Sequence, residues 1–216
     1  MAAQSDKKER FPRLLICEGP EDHAFFHRLI EARGLPRFHI QPSKGNAQFA
    51  PAIAKFKLEN TKAYNALRNI VIAADNNEDP KGRFDNVCAH IERVFGPGTA
   101  PEEPQKEAKT KPPVSVLMIP WTGGHGHLEC LCYAAADDAD KVAGSRVEDL
   151  LALCGADDWT TSRQGKAWLR ANLAIRCEQD PFVSLGSVFN DPRFRHLIPV
   201  DHASFDSIAN FLSSFA

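Results

Sequence analysis

Short apolar runs alternate with segments of helical spacing along the first two thirds of the chain. Four runs have the length of a strand, at residues 13–17, 38–41, 70–74 and 114–119. The third run, Ile-Val-Ile-Ala-Ala, is apolar on both faces, which is typical of a middle strand in a covered parallel sheet. Strands that alternate with helices predict an α/β fold, here a four-stranded parallel sheet flanked by helices.

Apolar residues at helical spacing fill most of the remaining sequence. The helices predicted in this way span residues 47–67, 84–95, 147–154, 160–176 and 204–215, with two more that carry Phe25 to Ile30 and Leu128 to Cys132. Residues 96–113 are rich in Pro, Glu and Lys and predict a solvated loop. The stretch between the last two helices contains prolines and is predicted to be irregular.

These elements predict one domain with three parts. Residues 1–12 are expected to form a flexible N-terminus, and residues 13–140 an α/β core that includes the loop. Residues 141–216 are expected to form a mostly helical extension that packs on the core. A chain of 216 residues with 43% hydrophobic residues can bury a core of ordinary size.

Composition narrows the class of protein. The sequence has no apolar run of membrane-spanning length and no signal-peptide core near its start, so we expect a cytoplasmic protein without membrane contact. The six cysteines form no CxxC pair and no zinc-ligand spacing, which indicates reduced core thiols. A net charge of −2 means that any nucleic-acid contact needs a local patch or a bridging metal.

Acidic residues follow two strands directly. The first strand is followed by Glu18-Gly19-Pro20-Glu21-Asp22, and the third by Asp75-Asn76-Asn77-Glu78-Asp79. The carboxyl ends of parallel strands share one edge of the sheet, and carboxylates gathered there repel one another unless a hard cation is bound. The pattern predicts a site for Mg²⁺ or Mn²⁺. The alternative is that these residues only cap helices and form turns, Asp22 as a cap and Asp79-Pro80 as a turn.

Two smaller features concern phosphate and zinc. Lys44 and Gly45 precede a predicted helix, whose free N–H groups attract phosphate, and Gly19 lets the backbone approach one closely; a plain turn is the alternative. His125 and His127 flank a glycine, but no third zinc ligand stands at the required spacing. We therefore expect them to be mobile loop histidines.

The two acidic segments resemble a known pair of motifs. Residues 16–22, followed by an amphipathic helix, resemble the first motif of Toprim domains, and residues 72–77 resemble the second, an apolar strand that ends in Asp-x-Asp. The combination is similar to stand-alone Toprim proteins related to the OLD (overcoming lysogenization defect) nucleases, over about residues 13–136. The resemblance implies a four-stranded parallel sheet and magnesium-dependent chemistry on phosphodiesters.

The resemblance also implies roles for particular residues. Glu18 takes the place of the glutamate that acts as general acid/base or metal ligand, Asp75 that of the leading metal aspartate, and Asp22 that of the acid that closes the first motif. The second aspartate of Asp-x-Asp is Asn77 in this sequence. An amide oxygen can still bind magnesium but brings no charge. Asp79, two residues further on, is a candidate substitute.

Two more candidates lie beyond the fourth strand. Glu129 matches an acidic residue that follows this strand in OLD-like nucleases, and Lys166 is the candidate for a catalytic lysine in their helical tail. Glu129 could instead only favour the start of a helix. Lys166 lies with Arg163 and Arg170 on one helix face, which could be a solvated basic face.

The function expected from these observations is metal-dependent phosphodiester cleavage on DNA or RNA, with nucleic acid as a transient partner. A catalytically inactive binding module for a protein or nucleic acid is the main alternative, with Asn77 as the mark of a weakened metal site. A third possibility is that the same α/β fold acts on a small phosphorylated metabolite, since a metal and helix N-termini suit any phosphate. The sequence leaves open a protein partner and a homodimer.

Overall fold

The computed structural model describes residues 11–216, which are built around one four-stranded sheet. The strands are β1 (Arg13–Cys17), β2 (His39–Pro42), β3 (Asn69–Asp75) and β4 (Val114–Ile119). They lie in the order β2-β1-β3-β4, and every neighbouring pair is parallel. Residues 1–10 of the predicted flexible N-terminus lie outside the described part.

The described residues include nine α-helices. In chain order they are α1 (Pro20–Ala32), α2 (Phe49–Glu59), α3 (Thr61–Tyr64), α4 (Pro80–Phe95), α5 (Leu128–Ala139), α6 (Lys141–Leu153), α7 (Thr161–Arg176), α8 (Leu185–Asn190) and α9 (Asp206–Ser213). The four strands thus alternate with helices along the chain, and the part after β4 is helical. The predicted α/β fold class, with a parallel sheet and a helical C-terminal part, is confirmed.

The sheet separates two hydrophobic cores. Along β3, Ile70 and Ile72 face a core completed by α2 and α4, while Val71 and Ala73 face one completed by α1, α5, α7 and the C-terminal helices. Successive side chains of a strand point to opposite faces, so a strand between two cores must be apolar at every position. This explains the uninterrupted apolar run that the sequence shows before Asp75.

Aromatic side chains attach the C-terminal helices to the sheet. The ring of Phe25 in α1 lies 5.4 Å from the rings of both Phe189 and Phe205. All three side chains are fully buried, in the same core as Leu15 of β1. Residues 185–215 and the sheet therefore share one core. Burying large aromatic rings contributes strongly to stability.

Helices α2, α3, α4 and α8 differ from the sequence prediction. The predicted helix 47–67 breaks at Asn60, whose φ of −130° is not helical, into α2 and α3. Helix α4 begins at Pro80 rather than at residue 84, because Asp79 caps it and proline suits a first helical position. Asp79-Pro80 is therefore a helix start, and its interpretation as a plain turn is wrong. Helix α8 lies in the stretch predicted to be irregular.

Residues 96–113 contain no α-helix or β-strand, but part of this segment follows β4. The backbone N–H of Ala108 donates to the carbonyl of Val114 at 2.7 Å, and Glu107 forms an isolated antiparallel bridge with Ser115. The side chains of Ala108 and Thr110 are buried. Within residues 11–216, no helix combines the length and the apolar character needed to cross a membrane.

Arg33, just after the end of α1, clamps the C-terminal segment. Its guanidinium donates to the carbonyls of Val200 at 2.8 Å and His202 at 2.7 Å, and pairs with the carboxylate of Asp206 at 2.6 Å. We call this set of contacts the Arg33 clamp. One side chain thus satisfies two backbone carbonyls and one carboxylate on a segment that lies more than 160 residues further along the chain.

Removing the clamp should weaken the whole fold. In Arg33→Leu, two carbonyls and a carboxylate lose their donors, so the free energy of unfolding should fall by about 2 kcal/mol. Urea unfolding measures the change. Arg28→Leu is the control, since Arg28 makes a single i,i+3 pair with the exposed Glu31, and its loss should cost less than about 0.5 kcal/mol. Equal losses in the two variants would show that the clamp adds nothing.

Candidate functional site

The carboxyl ends of β1 and β3 meet at one edge of the sheet. The two strands pair in register up to Ile16 and Ile72. Glu18 follows two residues after Ile16, and its side chain extends toward the end of β3. Its Oε1 atom accepts a hydrogen bond from the backbone N–H of Asp75 at 3.0 Å. The structure therefore brings together the two residues that sequence analysis placed at the centre of the acidic segments.

Asp75 is the most crowded carboxyl group of this edge. Its Oδ1 atom accepts from the N–H of Leu128, the first residue of α5, at 3.2 Å. Burial raises its pKa well above the ordinary value, and the charges of Asp22, Glu18 and Glu129 raise it further, against an opposing effect of His127. We call Glu18, Asp22, Asp75 and Glu129 the carboxylate cluster. Its members come from the exits of three strands.

Asp22 serves the start of α1 and belongs to the carboxylate cluster at once. Its Oδ2 atom accepts from the N–H of Gly19 at 2.8 Å, as in a capping box. Burial raises its pKa to about 6, with a contribution from the charge of Glu18, although the hydrogen bond from Gly19 acts in the opposite direction. The capping and site interpretations of Asp22 are therefore compatible. The Gly19 N–H is used within the protein rather than being free for a phosphate.

Arg83, which sequence analysis missed, contacts the carboxylate cluster. Its guanidinium pairs with Glu18 at 2.6 Å and donates to the backbone carbonyl of Asp75 at 3.1 Å. The side chain is only 13% exposed. Arg83 lies in the first turn of α4, where a cation opposes the helix dipole. An arginine at that unfavourable position, just after the Asp75 segment, was the one signal that could have indicated it.

Every member of the cluster is held by a protein donor or cation. Glu18 pairs with Arg83, Asp22 with Gly19, Asp75 with Leu128, and Glu129 with His127. Within residues 11–216, no three His, Cys, Asp or Glu side chains are arranged to hold a metal ion as they stand. Carboxylate oxygens are nevertheless the donors that Mg²⁺ prefers. Binding it would require side-chain rotation, first of Glu18 away from Arg83.

The two asparagines after Asp75 shape the loop. Asn76 is fully buried, and its Nδ2 atom donates to the carbonyls of Trp121 and Gly124. Asn77 has a φ of +50°, a backbone conformation that asparagine tolerates, and its N–H and C=O bond Gly126 at 2.7 Å each. These bonds tie the loop after β3 to the loop after β4. The backbone of Asn77, which was predicted as a metal ligand, thus helps to hold the two loops together.

Glu78 and Asp79 each stabilise the start of a helix. Glu78 accepts from the backbone N–H of Ser162 in α7 at 2.7 Å, and hydrogen bonds from Ser162 lower its pKa. Asp79 accepts from the N–H of Gly82 in α4 at 2.9 Å and is exposed. Both contacts are helix caps. Of the acidic residues in segment 75–79, only Asp75 belongs to the carboxylate cluster.

His127 is buried, and its interpretation as a mobile loop histidine is wrong. Its side chain is 1% exposed, with Nδ1 at 2.9 Å from a carboxylate oxygen of Glu129 and Nε2 at 2.9 Å from the carbonyl of Ser162. Both ring nitrogens face acceptors, which favours the doubly protonated ring. Burial lowers its pKa, but hydrogen bonds with Cys130 and Glu129 outweigh this and raise it to about 10. His125 is exposed, as expected.

Glu129 and Lys166 lie at the outer side of the cluster. Glu129 is in the first turn of α5, and burial tends to raise its pKa. The hydrogen bond and charge of His127 reverse this and lower it, and the charge of Lys166 adds to the effect. Lys166 is exposed on α7. The structure therefore places the exposed Lys166 within electrostatic reach of Glu129, a predicted metal ligand.

Lys44 and Gly45 form the turn after β2, next to the exit of β1. Gly45 donates its N–H to the backbone carbonyl of Glu18 at 2.9 Å, and Ser43 donates to that of Cys17 at 2.8 Å. Lys44 is exposed and has a φ of +70°. The turn thus lies beside Glu18, but the Gly45 N–H that was predicted to bind phosphate is already used.

The fold and site define an α/β protein with a cluster of carboxylates at the carboxyl ends of a four-stranded parallel sheet. Residues 12–216 match the model of a family described as a protein of unknown function, DUF3226, and the chain belongs to that family. A comparison with curated proteins gives no match. A solved structure of the C-terminal region of the Xanthomonas campestris pv. campestris OLD protein is similar, with 14% identity, a TM-score of 0.42, and coverage of 94% of this chain and 95% of that one.

Proposed function

We propose that this protein is a Mg²⁺- or Mn²⁺-dependent enzyme of the Toprim/OLD type that cleaves phosphodiesters in nucleic acid. The observation that carries the proposal is the position of Asp75, half-buried at the end of the inner strand β3 among three other carboxyl groups. Acids gathered in a buried place destabilise a fold, and a bound cation offsets that cost. The motif resemblance of residues 16–22 and 72–77 supports the same conclusion.

The chain's own residues would divide the work as follows. Asp75, Asp22 and Glu129 would hold the metal, which supplies positive charge to the phosphate oxygens when it is bound. Glu18, once released by Arg83, would act as a ligand or as general acid/base. Lys166 would neutralise charge that develops on the substrate. Asn77 would support the loop after β3, and Asp79 would support the start of α4. Neither is a proposed ligand.

We further propose how nucleic acid binds and where the protein acts. Nucleic acid would bind transiently, because the net charge of −2 gives no general attraction for polyanions and Lys44 and Lys166 are local cations beside the cluster. We also propose a cytoplasmic location, which the six unpaired cysteines support.

A cleavage assay tests this function. Supercoiled plasmid, single-stranded DNA and RNA are incubated with the protein and Mg²⁺ or Mn²⁺, and with Glu18→Gln prepared in the same way. We expect wild-type cleavage of at least one substrate, and a rate about 100-fold lower in Glu18→Gln. Glu59→Gln is the control, since Glu59 is an exposed carboxylate of α2 that pairs with Lys55, and it should cleave as fast as wild type.

The second candidate is a non-catalytic nucleic-acid or protein-binding module. The ion pair between Arg83 and Glu18 favours it, because the guanidinium already neutralises the carboxylate that the enzyme would need. In that case wild-type protein would cleave no substrate with either metal. A module for nucleic acid would bind it equally well in EDTA and in Mg²⁺, as measured by fluorescence anisotropy, and a module for a protein would not bind it. Metal-dependent cleavage that Glu18→Gln retains would exclude the binding module and also the role proposed for Glu18 in the enzyme.

A further inference from the structure

A concave site outside the carboxylate cluster lies between α5, α6 and α7. It is a cavity of about 320 Å³, and none of its lining residues belongs to the carboxylate cluster. Its floor includes the buried side chains of Trp168 and Ala156, and Leu151 adds apolar surface. The exposed carboxylates of Glu148 and Asp157 stand at its rim. The cavity therefore combines an apolar interior with an acidic entrance.

The charge of the lining selects the sign of a ligand. The two carboxylates are its charged groups, since no Lys, Arg or His residue is among the lining residues. Tyr133, also in the lining, donates its hydroxyl to Glu148 and so holds that carboxylate at the rim. The ring of Tyr133 lies 4.0 Å from that of Trp168, which adds a π-face beside the carboxylate. Aromatic faces and carboxylates together favour a cation and repel phosphate.

One residue of the lining, Trp168, has a buried hydrogen-bond donor without a partner among the described residues. Trp168 is 3% exposed, and its Nε1–H has no hydrogen-bond partner in the part of the chain that the structure describes. Buried indole N–H groups are normally paired, because an unpaired buried donor costs the protein its lost hydration. A ligand that brings an acceptor to Trp168 would remove this cost.

We propose that this cavity binds a small organic cation. The ammonium group lies at Glu148 and Asp157, an apolar or aromatic body rests on Trp168 and Leu151, and the inner end of the molecule carries an acceptor for the Trp168 indole. The site is independent of the proposed nuclease function, since no metal and no member of the carboxylate cluster takes part. Nothing in it requires that the chain cleave nucleic acid.

Three related molecules test the proposal by isothermal titration calorimetry on the full chain. Tyramine has an ammonium group at one end and a phenolic oxygen at the other, phenethylamine lacks the oxygen, and tyrosol lacks the charge. We expect tyramine to bind about five-fold more tightly than phenethylamine, which reflects one hydrogen bond, and about ten-fold or more tightly than tyrosol, which reflects a charged contact. No heat from tyramine at millimolar concentration, or equal affinity for tyramine and tyrosol, overturns the proposal.

Two variants locate the binding. Glu148→Gln keeps an acceptor for Tyr133 but loses the charge, and should weaken both amines about ten-fold. Trp168→Phe should bind tyramine and phenethylamine equally. Asp149→Asn is the control, because Asp149 is an exposed neighbour on α6 outside the lining, and it should bind as wild type does. Unchanged affinity in Glu148→Gln contradicts the proposal even if Trp168→Phe does not fold.

Discussion

Replacing Asp75 with asparagine should abolish metal-dependent cleavage and, at the same time, stabilise the metal-free protein. Asparagine keeps the size of the side chain and an oxygen that can accept from the N–H of Leu128. It removes the charge that burial, Asp22 and Glu18 make unfavourable. We expect cleavage to fall about 1000-fold or more, since a bound metal contributes several kcal/mol to phosphoryl chemistry. The free energy of unfolding in EDTA should rise by roughly 1–2 kcal/mol.

The gain in stability should depend on pH in a defined direction. The pKa of Asp75 is raised in the folded protein, so folding favours the protonated form and the wild type loses stability as the pH rises above the ordinary aspartate value of about 4. Below that value, both folded and unfolded wild-type chains carry the proton. The advantage of Asp75→Asn should therefore be largest at neutral pH and vanish in acid. Thermal unfolding in EDTA at several pH values measures it.

A matched exposed carboxylate provides the control. Asp85 on α4 pairs with Lys81 at the surface, so Asp85→Asn should neither stabilise the protein nor change its cleavage. If Asp75→Asn were less stable than wild type in EDTA at neutral pH, the crowding of carboxylates at β3 would not be the cost that we infer. If it cleaved at the wild-type rate, Asp75 would not be a metal ligand.

Replacing Arg83 with methionine should destabilise the metal-free protein by about 2–3 kcal/mol, because it leaves Glu18 without its half-buried partner. The loss should shrink when Glu18→Gln is added, since the amide needs no cation; a double-mutant cycle isolates the pair energy. Urea unfolding in EDTA gives all four free energies. Arg93→Met, an exposed change at the other end of α4, should have little effect.

Magnesium provides a second measurement on the same variant. The ion can take the place of the guanidinium beside Glu18, so added Mg²⁺ should stabilise Arg83→Met more than wild type at equal concentration. Equal stabilisation of the two proteins would mean that Arg83 and the metal do not compete. That outcome would remove the proposed release of Glu18 from the mechanism.

The sequence predicted those features that follow from local patterns. A strand that is apolar at every position indicates burial on both faces, and parallel strands that end at Glu18 and Asp75 must open at the same edge. The sheet and the meeting of these residues could therefore be predicted. The start of α4 was missed because its first turn, Lys81-Gly82-Arg83, is polar and shows no apolar spacing. The capping residue Asp79 and Pro80 at the first helical position carried the signal.

Contacts between distant segments could not be predicted in this way. Ser162 lies 35 residues after His127 and 84 after Glu78, yet it accepts from the first and donates to the second. A buried histidine and a mobile one look alike in sequence, because what separates them is the helix that packs over one of them. The same reason hid the ion pair of Arg83, whose partner Glu18 lies 65 residues earlier, directly after β1.

Helix α1 connects the carboxylate cluster with the C-terminal segment. It starts beside Asp22 in the carboxylate cluster, runs for 13 residues or roughly 20 Å, and ends at the Arg33 clamp on segment 200–206. A stiff rod transmits displacement from one end to the other. Segment 200–206 and Asp22 of the carboxylate cluster, far apart in the sequence, are therefore connected through a single rigid element.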